Sequence, residues 1–149
     1  VESVRDYRGY IDGEGWRHGV AHGADWLMQL SLDPALERAQ LDRILAAVAS
    51  QAIPEATHAY VFGVPGRLAP PVVYIAQRGL LSEADWTAWF ASLPPRVGKL
   101  DRSQYAAWLA HRHDLMAFMM SMYLEADQSE DTKIKQLKPA IVAALKQIP

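Results

Sequence analysis

Trp16-Arg17-His18-Gly19-Val20-Ala21-His22-Gly23-Ala24-Asp25 is the stretch from which the fold is read. At about 100° per residue it makes a helix from about Gly15 to Ser31 with three faces. His18, His22, Asp25 and Gln29 fall within roughly 60° of one another. Trp16, Val20, Ala24 and Leu27 lie opposite and form an apolar face. Gly15, Gly19 and Gly23 make a flanking stripe. Glycine in a helix interior costs about 1 kcal/mol against alanine, so the stripe predicts that something approaches this helix closely.

Proline and glycine punctuate the remaining chain into further helices. Asp33-Pro34 predicts an N-cap and first helical residue, with Leu36, Leu41, Ile44, Leu45 and Val48 keeping helical period to about Ile53. Thr57 to Phe62 reads as either a short strand or a helical turn, and Gly63-Val64-Pro65-Gly66 as a loop. A short helix is expected from Pro70 or Pro71 to Arg78, closed by Gly79. Ser82 to Asp85 predicts a near capping box opening a helix with Trp86, Trp89, Phe90 and Leu93 on one face. Asp101 predicts the cap of a long helix to about Ala126, with Tyr105, Trp108, Leu109, Leu115, Met116, Met119, Met120 and Tyr123 inward. A last helix falls within about 132–147, started or kinked by Pro139. Paired helices with short connections predict an all-α domain of stacked helical hairpins, a HEAT-like α-α superhelix.

Composition sets limits on function. The 149 residues suffice for one domain with a real core. Half the residues are hydrophobic and 21% are charged, the balance of an ordinary globular protein. A net charge of −2 argues against a nucleic-acid partner, which needs a basic face. With no cysteine, thiolate chemistry, disulfides and cysteine-ligated metals are excluded, and a reducing, cytoplasmic setting is expected. The longest apolar run, Leu115 to Leu124, is too short to span a bilayer, so no membrane role is expected. No signal peptide is evident. The chain begins at Val1 without an initiator methionine, which points to a fragment or processed form.

The histidine stripe admits three readings. His18, His22 and Asp25 could ligate a divalent metal such as zinc, since histidines at i and i+4 present two imidazoles to one point. Yet His18 and Asp25 stand about 10.5 Å apart along the axis, so two of the three plus a ligand from elsewhere is easier. Gly19 occupies the place of the zincin general base, which disfavours that protease class. The second reading is a ligand site without metal, and the third is a polar seam between helices. Asp12 and Glu14 could orient the histidines or form a turn before a helix N-terminus. Arg67 could fork onto a carboxylate or phosphate, or close a structural salt bridge. His111 and His113 point about 200° apart on one helix, so only His113 could approach the stripe. The Trp86/Trp89/Phe90 and Met116/Met119/Met120 stripes read as core, with a partner groove as the alternative.

From Arg8-Gly9-Tyr10 through Gly15-Trp16 and His18, His22 and Asp25, the chain resembles the bacterial family domain of unknown function 2785. The likeness continues through Arg67-Leu68-Ala69, Leu80 to Glu83 with Trp86, and His113 to Phe118. The resemblance implies an all-helical fold and marks His18, His22 and Asp25 as a family feature. It implies no activity. Members are larger, so the chain resembles a C-terminal portion of one. Gly63 to Gly66 replace an expected acidic segment, and Asp114 stands where asparagine is expected.

Together these readings predict a helical scaffold or binding domain without a cofactor. Tyr10, Asp12, Trp16, His18, His22, Asp25, Arg67 and His113 would hold a small polar ligand or a protein segment. The rival is a metal-dependent hydrolase with His18 and His22 as ligands and Asp25 or Asp12 as third ligand or base. A further alternative is packing against an additional N-terminal portion or a second copy of the chain.

Overall fold

The computed structural model describes residues 1, 3–55 and 57–149. Among these residues the fold is all-α apart from one small hairpin near the start. Strands β1 (Tyr10–Ile11) and β2 (Gly15–Trp16) pair antiparallel, with Tyr10 opposite Trp16 and Ile11 opposite Gly15. Gly13 and Gly15 have φ of 81° and 84°, a backbone region that glycine enters without strain. This corrects the expected helix start. Gly15 belongs to a strand and drops out of the glycine stripe, and Trp16 is 57% exposed rather than packed on the apolar face.

Helix α1 (Gly19–Ser31) buries Val20, Ala21, Ala24 and Leu27. Its remaining glycines do receive a close neighbour, the N-terminal segment. A Cβ on Gly23 would lie 3.1 Å from Val1, and one on Gly19 would lie 3.4 Å from Val4 and from the Asp6 carbonyl. The amide of buried Gln51 fixes the same segment by donating to the Val1 carbonyl at 3.0 Å.

Helix α2 (Arg38–Ala52) starts later than Asp33-Pro34 predicts. Glu37 and Gln40 form its capping box. The Asp33–Leu36 turn is held differently: Asp33 accepts from the Ala35 amide at 2.9 Å, and Arg78 donates to the carbonyls of Asp33, Pro34 and Leu36. The arginine satisfies carbonyls that would otherwise favour an earlier helix start.

Helix α3 (Val64–Arg78) begins well before Pro70, with Gly63 left-handed at its N-cap and Pro65 in its first turn. Pro70 and Pro71 sit inside it. Each removes one helical hydrogen bond, and burial of Val64, Leu68, Val72 and Ile75 offsets that loss. Gly79 ends the helix at φ 68°, as expected. Helix α4 (Glu83–Ala91) opens with the predicted box: Ser82 Oγ accepts from the Asp85 amide, and Asp85 accepts from the Ser82 amide at 2.7 Å. Asp101 caps a 3-10 turn (Arg102–Gln104) that runs directly into α5 (Tyr105–Gln128). The expected last helix is two, α6 (Thr132–Lys135) and α7 (Lys138–Leu145), and Pro139 lies in the first turn of the second.

Helix α3 is central, packed against α1, α2 and α5; α7 closes the far end against α4 and α5. Trp86, Phe90, Phe118, Met119, Met122 and Ile141 are among the largest fully buried side chains. Tyr105, Leu109 and Met120, expected inward, are 49%, 44% and 56% exposed. The reason is that α5 turns Ala110, Leu115, Phe118 and Met122 to the core, and one helix face accommodates only one such stripe. Among the described residues, no helix is long and apolar enough to cross a membrane.

Candidate functional site

His18 is the N-cap of α1 and the only non-glycine residue with positive φ among the described residues, at φ 33°, ψ 37°. The left-handed turn joins hairpin to helix and sets the imidazole under Trp16, with ring centroids 4.1 Å apart. Trp16 meets Tyr10 edge-on at 5.2 Å and Phe62 edge-on at 5.9 Å. Gly9 is required here: a Cβ on it would fall 2.1 Å from the Phe62 ring. Tyr10, Trp16 and Phe62 thus form an exposed aromatic ledge.

The polar side of the ledge comes from α1 and α3. The His18 and His22 rings lie 6.4 Å apart. Arg67 forks onto Asp25, with Nε to Oδ1 at 3.0 Å and Nη2 to Oδ2 closing the pair. Nε2 of His18 is buried and has no hydrogen-bond partner among the described residues. Burial lowers the His18 pKa, and His22 and Arg67 lower it further, against a smaller opposing effect of Asp25. His18 is therefore biased towards neutral imidazole, with a ring nitrogen uncommitted.

Of the residues singled out from sequence, Tyr10, Trp16, His18 and His22 form one chain of ring contacts, and Asp25 and Arg67 form the adjoining ion pair. The arrangement is a surface cluster: Tyr10, Trp16, His22 and Arg67 are all exposed. Asp12 lies in the exposed hairpin turn, and Glu14 pairs with Arg17 at 2.6 Å. His113 contacts the Tyr60 carbonyl at 3.3 Å. Among the described residues, no three His, Asp or Glu side chains are grouped to hold a metal ion.

Phe62 escaped sequence reading, because nothing local shows which way a loop aromatic turns. A second cluster surrounds Asp114, which the sequence marks only as standing where asparagine is expected. Asp114 is fully buried; Oδ1 accepts from the Tyr60 amide at 2.8 Å, and Oδ2 has no partner. Burial pushes its carboxyl up to about 6, against the lowering effect of that amide and of His113. The Tyr60 hydroxyl reaches Gln51 at 3.4 Å, and Tyr7 stacks on His58 at 5.6 Å. The signal available was an aspartate in the middle of an apolar helical run.

A family model described as protein of unknown function (DUF2785) matches residues 1–124. The chain belongs to this family. The matched region holds the whole aromatic and histidine cluster, the Asp25–Arg67 pair and Asp114, and ends within α5. Helices α6 and α7 lie outside the match, yet their neighbourhood supplies the fully buried Leu137 and Ile141. Membership of DUF2785 is what the match supports; the narrower reading as a C-terminal portion is not supported by it. No curated protein and no solved structure matches the chain.

Proposed function

We propose that this DUF2785 domain is a helical scaffold of stacked hairpins that binds a small polar ligand or an extended protein segment at the start of α1. The observation carrying this reading is the exposed Tyr10–Trp16–Phe62 ledge beside a buried, unpartnered His18 nitrogen. A flat aromatic surface offers apolar contact. The unpaired imidazole nitrogen, His22 and the Arg67–Asp25 fork supply directional polar partners. The hairpin reading is supported by packing: α1, α3 and α5 contact in succession, α4 contacts α7, and Arg38 of α2 bonds Asp85 beside it on α4. Two rows of helices would give that pattern.

The test uses tag-free protein and its His18→Ala/His22→Ala variant. Small carboxylates, amides and phosphates are titrated and followed by NMR. Saturable shifts at Trp16 and the first turn of α1, lost in a variant that melts normally, support the reading. A variant that unfolds makes the stripe a structural seam. Elemental analysis of the same samples decides the rival: about one equivalent of zinc, iron or manganese, lost with the histidines, would favour a metal-dependent enzyme.

A further inference from the structure

Helix α5 carries two apolar stripes, roughly 120° apart around its axis. One faces the core through Leu115, Phe118, Met119 and Met122. The other carries Leu109, Met116 and Met120, with Leu109 44% and Met120 56% exposed. A helix on a domain surface normally turns one apolar face to the core and polar faces to water, and a second, exposed apolar stripe marks a surface that is normally covered. Alongside these side chains runs a groove of about 640 Å³, walled by Ala59, Ala106, Ala110 and Ala117.

We infer that this groove is a docking site for an amphipathic helix of a partner protein, with a carboxylate near the middle of its apolar face. The shape points to a helix. From Ala106 to Met120 the groove follows α5 for about 21 Å, four turns. Small residues at 106, 110 and 117 beside large ones at 109, 116 and 120 make the ridge-and-groove relief into which a second helix packs. Met116 and Met120 adapt to a partner surface more readily than branched side chains.

Charge selects among occupants. The polar side chains lining the groove midway are Arg112 and His113, and among the described residues no carboxylate lines it. The neighbouring Asp114 is turned into the core. Arg112 gives its Nε to the Pro149 carbonyl at 2.6 Å, which steadies the guanidinium at the groove wall. A second copy is disfavoured by the same fact: two-fold packing of α5 on α5 about the groove centre would bring the two Arg112 and two His113 side chains within a turn of one another with no carboxylate in either groove lining to offset them. A partner carboxylate meets that requirement.

The experiment uses the full 149-residue chain. Two synthetic amphipathic peptides of about 18 residues, identical except for glutamate or lysine at the centre of the apolar face, are titrated and followed by NMR. The glutamate peptide is expected to bind saturably, with shifts along residues 106–120, and at least about tenfold more tightly than the lysine peptide. Leu109→Glu/Met120→Glu should weaken binding by about tenfold or more without changing the melting temperature. Arg112→Glu should reverse the peptide preference, a readout that loss of folding cannot imitate. Absence of saturable binding, equal binding of both peptides, or shifts mapping elsewhere overturns the proposal. So does concentration-dependent dimerisation abolished by the Leu109/Met120 variant, which would make a second copy the occupant.

Discussion

Replacing Asp114 with asparagine should stabilise this protein at neutral pH. The carboxyl is fully buried, with one oxygen bonded to the Tyr60 amide and the other unpaired. Burial raises its pKa from 3.8 to about 6. A carboxyl whose folded pKa lies above its unfolded one destabilises the fold when ionised. Below about pH 4 it is neutral in both states and costs nothing extra. Between about pH 4 and 6 the unfolded chain gives up its proton first, so stability falls as pH rises, and above about pH 6 the loss is complete. The full loss is about 3 kcal/mol. Asparagine keeps the acceptor for Tyr60 and is close to the neutral acid in shape, so it removes the charge with little change in packing. Urea denaturation of both proteins across pH 3.5–8 is the assay. The asparagine variant should gain about 3 kcal/mol at pH 7, roughly 6–12 °C in melting temperature for a chain of this size. The gain should shrink to near zero below about pH 4. No gain at pH 7, or an equal gain at pH 4, would refute the reasoning, because the effect would then not be one of charge.

Substitutions at three further positions have expected outcomes. Arg67→Ala removes the partner of Asp25; because the pair is partly exposed, the cost is at most about 1 kcal/mol, read by urea denaturation. The same variant should raise the His18 pKa in an NMR titration, since Arg67 lowers it. Gly9→Ala should push the Phe62 ring off Trp16, abolishing their NOE contacts and changing Trp16 emission, at about 1–3 kcal/mol in stability. His18→Val should cost about 1–2 kcal/mol by forcing a β-branched residue into the left-handed region, while His18→Asn, which tolerates that backbone, should melt near wild type.

What the sequence disclosed follows the range of each signal. Capping at Ser82–Asp85 and termination at Gly79 depend on neighbours within a few residues, and both appear as expected. The start of α1 was misplaced because the stripe from Trp16 onward satisfies helical period, whereas Asp12-Gly13 and Gly15 encode a hairpin through positive φ, which periodicity does not register. Helix α2 was displaced by Arg78, 45 residues from the Asp33 carbonyl it binds. The inward face of α5 was read too broadly because apolar residues lie on both sides of that helix, and pattern alone does not say which side meets α3. At the site, Asp25 and Arg67 were each legible as polar candidates; their pairing across 42 residues was not.

The two clusters are coupled through one loop. Tyr60 is fixed by its amide to Asp114, and its carbonyl lies 3.3 Å from the His113 ring. Two residues on, Phe62 packs over Gly9 and meets Trp16. The exposed ledge is therefore built on a buried polar anchor, and the anchor is the less stable part of that arrangement when Asp114 is ionised. Asparagine at 114 keeps the Tyr60 bond and removes the charge, so it should leave the Trp16–Phe62 contact intact while raising stability. Alanine at 114 also removes the charge but breaks the bond and leaves the Tyr60 amide unpaired, so it should fall about 1–3 kcal/mol below the asparagine variant in stability. If both variants preserved the Trp16–Phe62 NOE equally, the ledge would be held by its own ring contacts and by Gly9, and Asp114 would have no part in shaping the surface.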